Sequence, residues 1–452
     1  MKKYFFVFLS AAALLGGCSG TREIRKAELP GQEKNFSHYF QSGFDTKEPA
    51  EKLELYGKAI AAWRYPDGIS NQASAYNNRG LVYHGLGKYE KAIADYSKAV
   101  EINPNDDFAY YNLALACYKL KDYGKALLNY GKSLEINPDY PDAYNNRGLV
   151  YHDSGKYELA IQDYTSALEA DKNYYLAYNN RGAAYHKLKD YQKAVEDYSG
   201  AIAINPDYAF AHFSRAIAYE NLGQNEKALA DYSRAVEIDP GYEEAFNSRG
   251  YLHENMKNYE KALADYSKAV EINPAYANAY LNRGIVYQNF KDYPSAIADY
   301  SKTIELEPGN DLAYVNRGLV YEFMTEYDKS IADYTRAIEL NPSYSLVYNS
   351  RGWVYLMTAQ WEKAKTDLEK AMEMDPENKY SYLNLAEYYW TAKKDKQKAL
   401  EYLKLSFEKG FNRWDDLQNE ALDGYFLKGL NKTREFEDLA NRYKTAAEGA
   451  GQ

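Results

Sequence analysis

Ala75-Tyr76-Asn77-Asn78-Arg79-Gly80, followed shortly by Tyr89-Glu90-Lys91-Ala92-Ile93-Ala94-Asp95-Tyr96, is the phrase that this chain repeats from end to end. Prolines set its period. Pro104, Pro138, Pro206, Pro240, Pro274, Pro308, Pro342 and Pro376 lie on a strict grid of 34 residues, with Lys172 at the one point that lacks a proline. A repeat of that length means a stack of helix pairs, each burying a face that its neighbour supplies. Such a stack offers a surface for holding something, not a pocket for chemistry.

With Ala73 as position 1, position 8 is Gly80, Ala114, Gly148, Gly182, Ala216, Gly250, Gly284, Gly318, Gly352 and Ala386, never anything larger. Position 20 is alanine throughout the first nine repeats apart from Ser330. Small residues on facing helices let two backbones approach at the short end of the usual interaxial range of about 8–10 Å. Tyrosines at positions 4, 11, 17 and 24 fill the space beside that contact, which accounts for most of the 50 tyrosines. Apolar spacing within each half is helical, as in Ile93, Tyr96 and Val100. Asn-Pro and Asp-Pro steps such as Asn103-Pro104 end one helix pair and open the next.

Tyr76, Gly80, Tyr83, Ala92, Tyr96, Ala99 and Pro104, at positions 4, 8, 11, 20, 24, 27 and 32, resemble the signature of the tetratricopeptide repeat. The resemblance covers ten repeats over residues 73–412, the last strained by an extra residue near Lys394. It implies an all-α, right-handed superhelical solenoid in which the first helix of each pair, helix A, lines the concave side. Residues 36–72 read as a worn repeat, with Tyr39 and Gly43 echoing helix A and Tyr56, Lys58, Ala59 and Ile60 echoing helix B. The period stops after Phe411, and 413–452 is expected to close the stack with capping helices over Trp414–Leu430 and Arg434–Ala447.

The N-terminus carries a different message. Lys2 and Lys3, the apolar stretch Tyr4–Leu15 and then Leu15-Gly16-Gly17-Cys18 form a secretion signal ending in cysteine. Leu15–Cys18 resembles the lipobox of bacterial lipoproteins, which implies a mature chain beginning at an acylated Cys18, with 19–35 as a tether. The apolar run is too short to span a bilayer, which favours a cleaved signal.

Formal net charge is −10, and loss of Lys2 and Lys3 with the signal would make the chain more negative still. That balance, together with export, disfavours nucleic acid as a partner. Two cysteines exist, and acylation of Cys18 leaves only Cys117, so the repeats must stand on packing. Cys117 occupies position 11 and reads as a buried structural thiol. No GxxxxGK loop, HExxH or GxSxG is present; no catalytic residue and no cofactor are implied. His84, His152 and His186 share position 12, yet no third ligand recurs with them, so they read as partly exposed groove residues and no metal site is expected.

Arginine recurs at position 7 in Arg79, Arg147, Arg181, Arg215, Arg249, Arg283, Arg317 and Arg351, each followed sixteen residues later by an aspartate. In the second repeat Leu113 replaces the arginine and Asn129 the aspartate. Joint replacement points to an internal pair in preference to a strip for an ionic ligand, because losing one partner alone would strand a poorly solvated charge.

Position 6 is the candidate binding row: Asn78, Asn112, Asn146, Asn180, Ser214, Ser248, Asn282 and Asn316. The O-linked N-acetylglucosamine transferases carry a similar row of asparagines that grips a peptide backbone. An amide both donates and accepts, matching what each peptide unit offers. Bonding to the neighbouring repeat would explain the recurrence equally well. Lysines and arginines of a chaperone-tail clamp are missing from position 5. The function expected is a membrane-anchored scaffold of the bacterial envelope, facing the periplasm from the outer membrane where a cell has two membranes, with a protein or peptide in its concave groove. The alternative is a structural or surface-exposed adhesin-type lipoprotein.

Cys18 is therefore expected to carry lipid, since two acyl chains at about 0.8 kcal/mol per buried CH₂ suffice for stable attachment. Cys18→Ala should release a soluble protein or leave an unprocessed precursor. Unchanged membrane fractionation with normal processing would refute the anchor.

Overall fold

A computed structural model of the chain describes residues 35–413, Leu417 and 427–449. Among them every regular element is a helix. By internal contacts the chain divides into two units, Met1–Asn180 and Arg181–Gln452. In each, antiparallel helix pairs follow one another in chain order, as in Ile69–Gly85 with Tyr89–Ile102 in the first and Glu243–Asn255 with Tyr259–Ile272 in the second.

The closest approach within a pair lies at positions 8 and 24. The Tyr96 ring rests on Gly80 so tightly that an added Cβ would sit 2.6 Å from the ring carbon Cε1. Gly148 on Tyr164 and Gly284 on Tyr300 repeat the contact at 2.7 Å. The tyrosines of position 24 are among the largest fully buried side chains. Alanines of positions 3, 20 and 27, such as Ala75, Ala92 and Ala99, have no exposed surface at all. The core is a column of tyrosine rings set between small residues.

Arginine and aspartate bracket that contact. Nε and Nη2 of each position 7 arginine donate to the two carboxylate oxygens of its aspartate, at 2.7 and 2.6 Å for Arg79–Asp95 and 2.8 and 2.8 Å for Arg317–Asp333. The guanidinium carbons also lie over aromatic rings, as Arg283 does over Tyr280 at 5.4 Å and Tyr287 at 5.8 Å. In the second unit the remaining Nη1 reaches helix B of the preceding repeat: Arg215 to Ser199 Oγ at 2.9 Å, Arg317 to Ser301 Oγ at 2.9 Å and Arg351 to Thr335 Oγ1 at 3.0 Å. One side chain thus ties three helices. In the second repeat Leu113 is buried, and Asn129 turns to its own helix, donating to the Lys125 carbonyl at 2.8 Å.

Helix A ends at position 15 with a left-handed residue, among them Gly87, Lys121, Gly155, Lys189, Gly223 and Lys257. Lysine serves there despite the cost to a residue with a Cβ. Helix B ends two residues before the proline, but the proline is not required: with Lys172 in its place the helix still stops at Ala170, where the Asp171 amide caps back to the Ala167 carbonyl.

Phe36–Asp45 and Pro49–Ala62 make a helix pair over the worn repeat, with Gly43 against the Tyr56 ring. The extra residue near Lys394 is absorbed in the turn between Lys379–Thr391 and Lys396–Glu408. Of the closing segment, helix Arg434–Gly449 is seen. Leu417, Leu427, Leu430 and Phe436 bury the last apolar face with Leu403, Phe407 and Phe411. Residues 427–432 are turns, and most of the helix expected over Trp414–Leu430 lies outside the described residues. The Glu387 carboxylate, buried in the last repeat, accepts the Leu427 amide, and Trp390 Nε1 donates to the Lys428 carbonyl at 2.9 Å.

Arg317→Leu should cost about 3–5 kcal/mol by stranding the buried Asp333. Adding Asp333→Asn should recover part of that loss, as the second repeat does naturally. Urea unfolding of the two single variants and the double measures the coupling, and strict additivity would disprove it.

Candidate functional site

Helix A turns two borders and one open face to its surroundings. Positions 4, 7, 8 and 11 meet helix B of the same repeat, and positions 3 and 10 meet the neighbouring repeat. At about 100° per residue, positions 2, 9 and 13 fall in one arc on the side away from helix B, flanked by positions 5 and 12, which lean back onto helix B. Position 6 stands at the edge of that arc.

There the position 6 side chains reach across to the preceding repeat. Asn112 Nδ2 donates to Asn77 Oδ1 at 3.0 Å, Asn146 Nδ2 to the Tyr111 hydroxyl at 2.8 Å and Asn180 Nδ2 to Asn145 Oδ1 at 2.9 Å in the first unit. Asn282 Nδ2 donates to Asn247 Oδ1 at 3.1 Å in the second, and Asn384 Nδ2 to Asn349 Oδ1 at 3.1 Å. Asn78 stands beside the Tyr56 hydroxyl and Ser214 beside that of Tyr198. For the asparagines from Asn112 on, the acceptor sits at position 5 of the repeat before, and the bond is lost where that residue is apolar. Leu281 precedes Asn316, and Phe213 precedes Ser248. Among the described residues, Asn316 therefore has no hydrogen-bond partner and stands half-buried with its amide open. Inter-repeat bonding is the geometry of these asparagines; a row of open amides is not assembled, and the open one is Asn316. Cys18 lies outside the described residues.

Position 12 changes character between the units. His84 meets Tyr89 edge-on at 5.1 Å, and His152 meets Tyr157 in the same way. His152 is buried, where the sequence leads one to expect a partly exposed side chain, while His84 is half-buried. Burial lowers the His84 pKa, and that of His186 to about 4, so these imidazoles are neutral at pH 7. Among the described residues no group of three or more His, Cys, Asp or Glu is placed to hold a metal ion. In the second unit the hydroxyl of the position 24 tyrosine donates to position 12: Tyr266 to Glu254, Tyr300 to Gln288 and Tyr334 to Glu322, each at 2.8 Å, with Tyr232 bonded to Glu220. Burial raises the Glu254 pKa and carries that of Glu322 from its ordinary 4.5 to about 7.

Two contacts were missed from sequence: the Ser/Thr of position 25 and this tyrosine–glutamate link. A signal for the first existed in the recurring Asp-Tyr-Ser and Asp-Tyr-Thr triplets, such as Asp231-Tyr232-Ser233. Cys117 is buried and free, its thiol pKa raised by burial.

Models of the tetratricopeptide repeat match residues 73–106, 141–174, 175–208, 209–242, 277–310 and 312–344. Related repeat models match 114–155 and 256–289, 96–127 and 333–366, and 351–406. The chain belongs to the tetratricopeptide repeat family. Members of this family bind protein or peptide partners. Among solved structures, YrrB, described as a TPR protein with an unusual peptide-binding site, is 29% identical over 41% of this chain and 95% of its own, with a TM-score of 0.35. Pseudomonas aeruginosa pilF is 19% identical over 49% of this chain and 97% of its own, at 0.42. The Cut9–Hcn1 tetramer of APC/C is 16% identical over 78% and 84%, at 0.43. No curated protein matches the chain.

Asn282→Ala should lower stability by about 1 kcal/mol, since it leaves the Asn247 carbonyl oxygen without its donor. Asn316→Ala should be neutral within about 0.5 kcal/mol, as a surface change with no partner to lose. Equal melting temperatures for the two variants would show that the inter-repeat bond contributes nothing.

Proposed function

We propose that this tetratricopeptide repeat protein is an interaction scaffold that holds an extended segment of a partner protein along the open face of its A helices. The observation that supports this most directly is the apolar surface left uncovered there. Position 2 presents Phe108 in the first unit and Leu312, Leu346 and Tyr380 in the second, with Leu346 53% exposed. The same helices bury positions 3 and 10 almost completely. Leu312, Leu346 and Tyr380 put large apolar side chains at the same place on three successive A helices, which marks an interaction surface. Asn316 adds an amide able to pair with a peptide unit, and Oδ1 atoms that accept one bond between repeats retain a second lone pair.

The scaffold is tethered, in this reading, by lipid on Cys18 to a membrane of the bacterial envelope, where it recruits its partner. Among the described residues no helix is long and apolar enough to cross a membrane. The sequence Leu15–Cys18 supports the anchor, and Ser19 after it suits outer-membrane sorting.

A photo-reactive residue placed at Leu346 in intact cells should give a discrete adduct with a partner protein. The same residue at Lys268, on the outer face of helix B and paired there with Glu271 at 2.7 Å, should give none. Adducts from Lys268 alone, or equally from both, would overturn the assignment to the A helices and favour a surface role for the opposite face.

A further inference from the structure

The second unit carries a feature that backbone recognition does not need. Over four successive repeats the rim of its open face carries the half-buried Glu220, Glu254, Gln288 and Glu322, each held in place from beneath by a tyrosine hydroxyl. The A helices that bear them, Ala209–Asn221, Glu243–Asn255, Ala277–Asn289 and Asp311–Phe323, contain no lysine. Their only arginines are Arg215, Arg249, Arg283 and Arg317, all turned to helix B and engaged by its aspartates. Among the described residues neither Glu254 nor Glu322 enters an ion pair. Burial without a cation is what raises both carboxyl pKa values. The same arc carries exposed Leu312 at position 2 and exposed Phe323 at position 13.

Resting on the reading of this face as a peptide groove, we propose that the second unit selects a partner segment in which lysine or arginine recurs between apolar residues, the cations meeting Glu220, Glu254 and Glu322. The spacing follows from the scaffold. A helices of successive repeats meet only at their margins, so they stand at the wide end of the usual spacing, about 10 Å, and an extended chain rising about 3.3 Å per residue keeps register with one cation in about every three residues. An arriving ammonium or guanidinium supplies the counter-charge that Glu254 and Glu322 lack, and the tyrosine hydroxyls fix the acceptors in advance, which limits the ordering cost of binding. The first unit offers His84, Tyr118 and His152 at the same position and has no such preference.

Fluorescence anisotropy of the full chain with short labelled peptides tests this. A peptide repeating Lys-Leu-Ser should bind at least about tenfold more tightly than one repeating Glu-Leu-Ser, with an affinity that falls as salt is raised. It should also bind more tightly than one repeating Lys-Ser-Ser, which lacks the apolar residue. The triple variant Glu220→Gln/Glu254→Gln/Glu322→Gln should abolish the advantage of lysine over glutamate, while helicity and melting temperature hold. Gln288 already shows that an amide accepts the tyrosine hydroxyl in this slot. Equal affinity for the lysine and glutamate peptides, or an unchanged preference in the triple variant, would overturn the charge selection and leave the groove itself standing. Binding of none of the peptides, joined to failure of crosslinking at Leu346, would remove both.

Discussion

A tyrosine ring packed against a residue no larger than alanine is the contact on which this structure depends. Gly80 under Tyr96 and its equivalents set how near helix A can come to helix B. The recurring buried charge pair is arranged about that approach. Arg79 precedes Gly80 and Asp95 precedes Tyr96, so bringing glycine to ring also brings guanidinium to carboxylate, at 2.6 to 2.7 Å. The pair is half-hidden from water, where a lone aspartate would be costly and a bidentate partner offsets that cost. In the second unit the third arm of the arginine extends the order to the preceding repeat through Ser or Thr at position 25. Local packing and propagation of the stack thus share one side chain.

Positions 5 and 6 show how a repeat protein can keep its frame and vary its surface. Where position 5 offers an amide or a tyrosine hydroxyl, the following position 6 asparagine binds it and the two helices are joined. Where position 5 is Leu281, that bond has no acceptor and Asn316 is left open. Position 12 varies in the same way. Histidines there, His84, His152 and His186, pack on the position 17 ring, whereas Glu220, Glu254 and Glu322 accept the position 24 hydroxyl. A stack whose stability is nearly a sum of neighbour contacts tolerates such changes one repeat at a time.

The closing segment follows a different logic. The last repeat has no neighbour to cover it, and Leu427, Leu430 and Phe436 bury its apolar surface instead. Glu387 stands at position 9, where other repeats carry residues such as Leu149 or Ile285, and it is buried because it accepts the Leu427 amide. This departure from the repeat's own pattern is where the cap is fastened.

The sequence by itself determined the helix-pair repeat, its register, the close contact at positions 8 and 24, and the Arg–Asp pair. A side chain at the centre of a helix face has one possible neighbour, and strict periodicity names it; the joint change to Leu113 and Asn129 identified the pair without coordinates. Tertiary structure alone decided the roles at the borders between faces. Asn112, Asn146, Asn180 and Asn282 could reach either a ligand or the adjacent repeat, and only the distance between A helices, set by the tyrosine packing, put an acceptor within about 3 Å of the amide. The same packing buried His152 and held Glu254 and Glu322 on tyrosine hydroxyls, away from any cation. Periodicity fixes direction, whereas burial and bonding at a border depend on how far apart two helices finally stand.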